Sequence, residues 1–93
     1  MVMSFVPAMV DFSATPVVKV EIKYADPQRG QRELGTLVFT DKTPQEWFLA
    51  VPVDAPRVYS VEYTYHLADG EVVTMPPVRG EGGAVIVPRY KPR

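Results

Sequence analysis

The chain is predicted to fold as an all-β protein, an antiparallel β-sandwich of about seven strands, with a small closed barrel as the competing architecture. Three observations predict it. Apolar and polar residues alternate at period two in several segments, most clearly over 17–24 and 59–67. Clusters of Asp, Pro and Gly interrupt these segments at roughly ten-residue spacing. No segment carries the periodicity of an amphipathic helix.

Residues 1–12 read as an N-terminal arm or first strand, 13–88 as the sandwich and 89–93 as a basic tail. Val2, Phe5, Val6 and Met9 are more apolar than a free arm tolerates. They either supply the first strand, over Phe5–Phe12, or dock on a neighbouring sheet edge. Val18, Val20, Ile22 and Tyr24 alternate with Lys19, Glu21 and Lys23, the pattern of a strand with one face on the core. Asp26-Pro27 and Gly30 mark a turn, and Leu34–Thr40 returns as a strand rich in β-branched and aromatic types. After a turn at Asp41–Pro44, Trp47, Leu49, Val51 and Val53 share one face, which leaves Phe48 on the other. Asp54-Ala55-Pro56 turns the chain again. Tyr59, Val61, Tyr63, Tyr65 and Leu67 alternate with Ser60, Glu62, Thr64 and His66. Ala68-Asp69-Gly70 reverses the chain, because the tight turn needs a positive φ that glycine supplies. Glu71–Met75 pairs back and ends at Pro76-Pro77, since proline cannot donate to a ladder. Gly80–Gly83 reads as a flexible loop and Ala84–Val87 as a last short strand.

Ninety-three residues hold one core. The ten prolines are about twice average usage but lie scattered between apolar runs, so they punctuate strands rather than mark disorder. There is no cysteine, which excludes disulfides, thiolate catalysis and cysteine-ligated metals and favours a reducing compartment. There is no asparagine, hence no N-glycosylation. The net charge of −1 provides no field to recruit nucleic acid or an acidic membrane. Residues 1–10 lack a basic flank and are broken by Pro7, unlike a signal peptide or membrane span. The expected location is the cytoplasm, or a phage-like or surface assembly.

No catalytic constellation can be assembled, so a non-enzymatic role without cofactor or metal is expected. His66 is the single histidine, on the wet face of its strand and about 20 Å along it from Ser60. No serine sits in a nucleophile elbow. Asp11, Asp26, Asp41, Asp54 and Asp69 fall at turns, where the side chain bonds nearby backbone, and none forms a calcium-loop run. Gly80-Glu81-Gly82-Gly83 lacks the lysine and the following helix of a phosphate cradle. Parity places Trp47, Tyr63 and Tyr65 in the core; exposed in a row, they would instead form a platform for sugars. Phe48 is then the exposed aromatic suited to a protein contact. Arg89, Tyr90, Lys91 and Arg93 form a short basic tail, which reads as a solvated terminus or else as a segment that pairs with an acidic protein surface or with nucleic-acid phosphates.

The run Tyr59-Ser60-Val61-Glu62-Tyr63 with the later Asp69-Gly70 resembles the late strands of fibronectin type III-like and immunoglobulin-like domains. Val10–Phe12, Val18–Pro27, Trp47–Val51 and Tyr63–Gly70 resemble β-sandwich repeats of large bacterial proteins and phage-tail-like particles. The resemblance covers residues 10–87. It implies a spacer or interaction module, with Tyr59 as a tyrosine corner whose hydroxyl bonds back to upstream backbone. The expected partner is another protein or a second copy of the chain. Carbohydrate is the alternative, through exposed aromatics.

Overall fold

A computed structural model describes residues 1–91; Pro92 and Arg93, the end of the basic tail, lie outside the described residues. The fold is all-β, with two sheets packed face to face. Its strands are β1 (Val2–Val6), β2 (Val17–Asp26), β3 (Gln31–Phe39), β4 (Gln45–Phe48), β5 (Val58–His66), β6 (Val72–Thr74), β7 (Val78–Glu81) and β8 (Ala84–Ile86). The smaller sheet has the order β4-β1-β8 and the larger the order β3-β2-β5-β6, with β7 also on β5. Eight strands thus replace the expected seven or so. The pairing is not wholly antiparallel, because β1 and β8 run parallel.

The alternating segments behave as the pattern dictates. In β2, Val18, Val20, Ile22 and Tyr24 are buried; in β5, Tyr59, Val61, Tyr63 and Tyr65 are. These two strands pair antiparallel at the centre of the larger sheet, where both neighbours protect their backbone. From the smaller sheet, Met3 and Phe5 project into the same core, with Val10, Phe39, Leu49 and Val87 around them. The first strand is Val2–Val6 rather than Phe5–Phe12, because Pro7 ends it and Val10 tucks in from the following turn, donating its N–H to the Pro7 carbonyl at 3.1 Å. Phe5 was a candidate contact residue; at 0% exposure it belongs to the core.

Residues beyond Phe48 do not extend β4. Leu49 is buried, but Val53 stands 92% exposed on an irregular segment, against its expected place on the Trp47 face. The Glu71–Met75 strand narrows to β6, and the chain then continues as β7 along the same side of β5. Thr64 pairs with Thr74 and Val61 with Val78, so one extra residue is accommodated at Pro76-Pro77. That is a β-bulge, the place where a sheet tolerates missing donors.

Two glycines make room for aromatic rings. A Cβ on Gly35 would lie 2.5 Å from the Trp47 ring, which crosses from the smaller sheet to rest there. A Cβ on Gly80 would collide with the Tyr59 ring, whose hydroxyl reaches on to the Gly82 carbonyl at 3.0 Å. The ring is held at both ends, so it cannot swing aside cheaply. Gly80→Val is therefore expected to destabilise the fold by about 1–3 kcal/mol, the usual cost of overpacking. A urea midpoint unchanged from the parent would contradict this packing.

Turn aspartates act on backbone as expected at three places. Asp11 accepts from the Ser13 N–H at 3.0 Å, Asp41 from Thr43 at 2.9 Å and Asp69 from Glu71 at 2.9 Å. Side-chain and backbone donation from Ser13 holds the Asp11 carboxyl below its ordinary range, and Thr43 does the same for Asp41. Gly70 takes φ 90° to close the β5–β6 hairpin. Asp26 differs. It is 1% exposed, and its Oδ2 pairs with Arg29 at 2.9 Å, while Arg29 also meets the Asp54 carboxylate at 2.8 Å. The pair of bridges ties the β2–β3 turn to the segment before β5.

Candidate functional site

The two lateral sides of the sandwich are unlike. On one, β3 and β4 are stitched together: Gln45 Nε2 donates to the Val38 carbonyl at 2.6 Å and Gln31 Nε2 to the Ala50 carbonyl at 3.0 Å. On the other, β8 and the β6–β7 strand run leave a groove of about 680 Å³, within the range of about 300–1,000 Å³ usual for binding sites. The segment joining β6 to β7 lines it with Met75, Pro76, Pro77 and Val78. The chain leaving β8 lines it with Ile86, Pro88, Arg89, Tyr90 and Lys91. Met9 closes it from the β1–β2 connection, and Tyr63 and Tyr65 reach it from β5.

The C-terminal side of this groove is fixed in place. Tyr65 donates its hydroxyl to the Pro88 carbonyl at 2.8 Å, and the Tyr90 ring packs on Tyr65 with centroids 5.4 Å apart. Tyr90 is half-buried, so residues 88–91 form a strap across the sandwich edge rather than a free tail. Arg89 and Lys91 stay exposed on it.

Four tyrosines of the larger sheet are buried, and three of them donate to backbone carbonyls: Tyr24 to Pro56, Tyr59 to Gly82 and Tyr65 to Pro88. The Tyr59 bond runs to downstream backbone, whereas a tyrosine corner bonds upstream. The fourth, Tyr63, has no hydrogen-bond partner for its hydroxyl among the described residues and lies at the groove, stacked against Tyr65 at 6.4 Å. Burial pushes the Tyr63 phenol up to about 12, with smaller contributions from Tyr65 and Tyr59. Burial alone does the same to Tyr65.

The second feature is the outer face of the smaller sheet. Val2 and Phe48 are directly opposed across β1 and β4, and Val6 neighbours Ile86 across β1 and β8. Phe48 is 68% exposed, and Val2 and Ile86 are about half exposed or more. Val6 is half-buried. Three residues singled out from the sequence, Val2, Val6 and Phe48, are thereby gathered on one surface with Ile86. Met9, Arg89, Tyr90 and Lys91 are gathered in the groove instead. Ile86 borders both surfaces and escaped sequence reasoning, because one residue of a short apolar run gives no sign of which way it faces.

Other candidates are not brought together. Ser60 pairs with Lys23 and His66 with Val17, near opposite ends of the β2–β5 ladder. Among the described residues, no group of three or more His, Cys, Asp or Glu is placed to hold a metal ion. Trp47 is half-buried over Gly35, and Tyr63 and Tyr65 are buried, so they do not form an exposed sugar platform. No helix among the described residues is long and apolar enough to cross a membrane. The class of protein so defined is a two-sheet β-sandwich with two exposed apolar pairs on the outer face of its smaller sheet and one open side. Comparison with protein-family models, curated proteins and solved structures finds no match to this chain.

Proposed function

We propose that this chain is a non-enzymatic structural or protein-interaction module, a subunit or accessory of a larger assembly of the bacterial or phage-derived kind that its resemblance implies. One observation carries the reading. The outer face of the smaller sheet places Phe48, Val2, Val6 and Ile86 on one surface, with Phe48 and Val2 as a cross-strand pair. Val2 and Phe48 adjoin directly, and Val6 and Ile86 form a second pair on the same face beyond Ser4 and Glu46; exposed aromatic and aliphatic side chains placed in this way commonly mark a protein interface. An immunoglobulin-like or fibronectin type III-like kinship is supported by the larger sheet, whose β6-β5-β2-β3 order matches the G-F-C-C′ order of such domains. The parallel β1–β8 pair departs from their pattern.

The test uses Val2→Ser combined with Phe48→Ser. Both side chains are exposed, so the fold should change in stability by no more than about 1 kcal/mol. Self-association in sedimentation velocity, or a stoichiometric protein captured from cells, should weaken about tenfold or more in the variant. Association of equal strength in parent and variant would remove this face from the proposal. Retention on insoluble polysaccharide with release by soluble sugar would replace it with a carbohydrate-binding reading.

A further inference from the structure

The open side of the sandwich offers backbone as well as side chains. In the parallel β1–β8 ladder, Ser4 donates its N–H to the Gly83 carbonyl at 2.6 Å and Val87 donates to the Val6 carbonyl at 2.9 Å. Parallel pairing turns both polar groups of alternate residues toward the same neighbour. Val85 therefore faces β1, while the N–H and C=O groups of Ala84 and Ile86 point outward from the sheet edge. No strand covers that edge among the described residues. Beside it lies the groove, whose lining includes Tyr63, with a hydroxyl that has no hydrogen-bond partner among the described residues.

The charge of the groove selects its occupant. Its two charged lining residues, Arg89 and Lys91, are both cations. Neither closes an ion pair among the described residues, where the bridges involve Lys19, Arg29 and Arg79. Asp11, Asp69 and Glu71 line an adjoining depression that shares Arg89 and Tyr90, Glu71 shares a second one with Lys91, and Arg89 attracts the Asp11 carboxyl, but none of the three acids lines the groove itself. From this arrangement we infer that the groove binds an extended acidic peptide segment of a partner, added as a strand along the outer edge of β8. Its backbone pairs with Ala84 and Ile86, one side-chain row rests on Met75, Pro76 and Tyr90, and its carboxylates meet Arg89 and Lys91. The inference rests on the interaction-module reading but uses a different surface from the Val2–Phe48 face.

The probe is a short blocked peptide alternating valine with glutamate, titrated into the full chain and followed by amide NMR. The expected result is saturable binding with a Kd of about 100 µM or tighter, with shifts centred on residues 84–91 and Tyr63. The same peptide with lysine for glutamate should bind at least about tenfold more weakly, and Arg89→Glu with Lys91→Glu should weaken the acidic probe by about the same factor. An acidic probe N-methylated at alternate residues cannot pair with the edge and should lose binding. Equal binding of acidic and basic probes, unimpaired binding of the N-methylated probe, shifts centred on Val2 and Phe48, or no saturation below about 1 mM would each overturn the inference. Val2→Ser with Phe48→Ser should leave acidic-probe binding intact, so failure at one surface is read separately from failure at the other.

Discussion

A chain lacking residues 1–6 is expected not to fold. β1 is the middle strand of the smaller sheet, paired with β4 on one side and β8 on the other. Without it, neither flanking strand has a sheet to join. Met3 and Phe5, both at 0% exposure, leave the core with it. Phe5→Ala alone should cost about 3–5 kcal/mol, the range for a buried aromatic reduced to methyl. Against a total stability of about 5–15 kcal/mol, the deletion removes more than the fold has to spare. Circular dichroism and amide dispersion decide it: a truncated chain that still unfolds cooperatively would show that β1 is dispensable. The result bears on function too. Truncating the N-terminus cannot isolate a docking arm, because the same strand carries Met3 and Phe5 inward and Val2 and Val6 outward.

Alkali is expected to destabilise the protein progressively between about pH 10 and pH 12. Burial holds the Tyr63 and Tyr65 phenols at about 12, whereas phenols in an unfolded chain titrate near 10. Within that window the unfolded chain has released protons that the folded chain still binds. Stability is therefore unaffected below about pH 10 and falls as pH rises toward the folded values. A rise from about 10 to about 12 is worth on the order of 2–3 kcal/mol per group, so the pair withdraws on the order of 5 kcal/mol at most. The opening of the groove at Tyr63 lowers that ceiling. Urea unfolding at stepped pH, read beside phenolate absorbance, measures it. Phenols that titrate near 10 with no loss of stability would contradict the burial. Two variants separate the causes. Tyr63→Phe removes a hydroxyl with no partner among the described residues, so it should leave neutral-pH stability nearly unchanged and raise the alkaline midpoint. Tyr65→Phe should cost about 1 kcal/mol at neutral pH, through loss of the bond to Pro88.

What the sequence discloses of this fold follows from the distance over which its signals act. β2 and β5 are legible because a half-buried strand imposes period two on its own residues, and Val18–Tyr24 and Tyr59–Tyr65 obey it. The Asp69-Gly70 hairpin is legible because its turn is local. β7 is not: Val78-Arg79-Gly80-Glu81 has no apolar alternation, and its place beside β5 depends on the Tyr59 ring lying over Gly80. Nor is the pairing of Ser4 with Ala84, which no neighbouring residue announces. The surfaces divide similarly. Phe48 is identifiable as exposed from parity with Trp47, but the groove is assembled from separate segments and comes into being only when they meet. Phe5 shows the limit of composition alone, since an apolar terminus reads the same whether it faces a partner or its own core.

The parallel ladder between the first and last strands also sets an order of events during synthesis. β1 leaves the ribosome long before β8, its partner, has been made. Until then one edge of β1 stays unpaired, and the core that takes Met3 and Phe5 lacks Val87. So high a contact order makes for slow folding, because the chain must close its longest loop before the smaller sheet is complete. The domain is thus most prone to aggregation in the interval between the synthesis of β1 and that of β8, and a chaperone that shields the apolar β1 segment would matter most to it then.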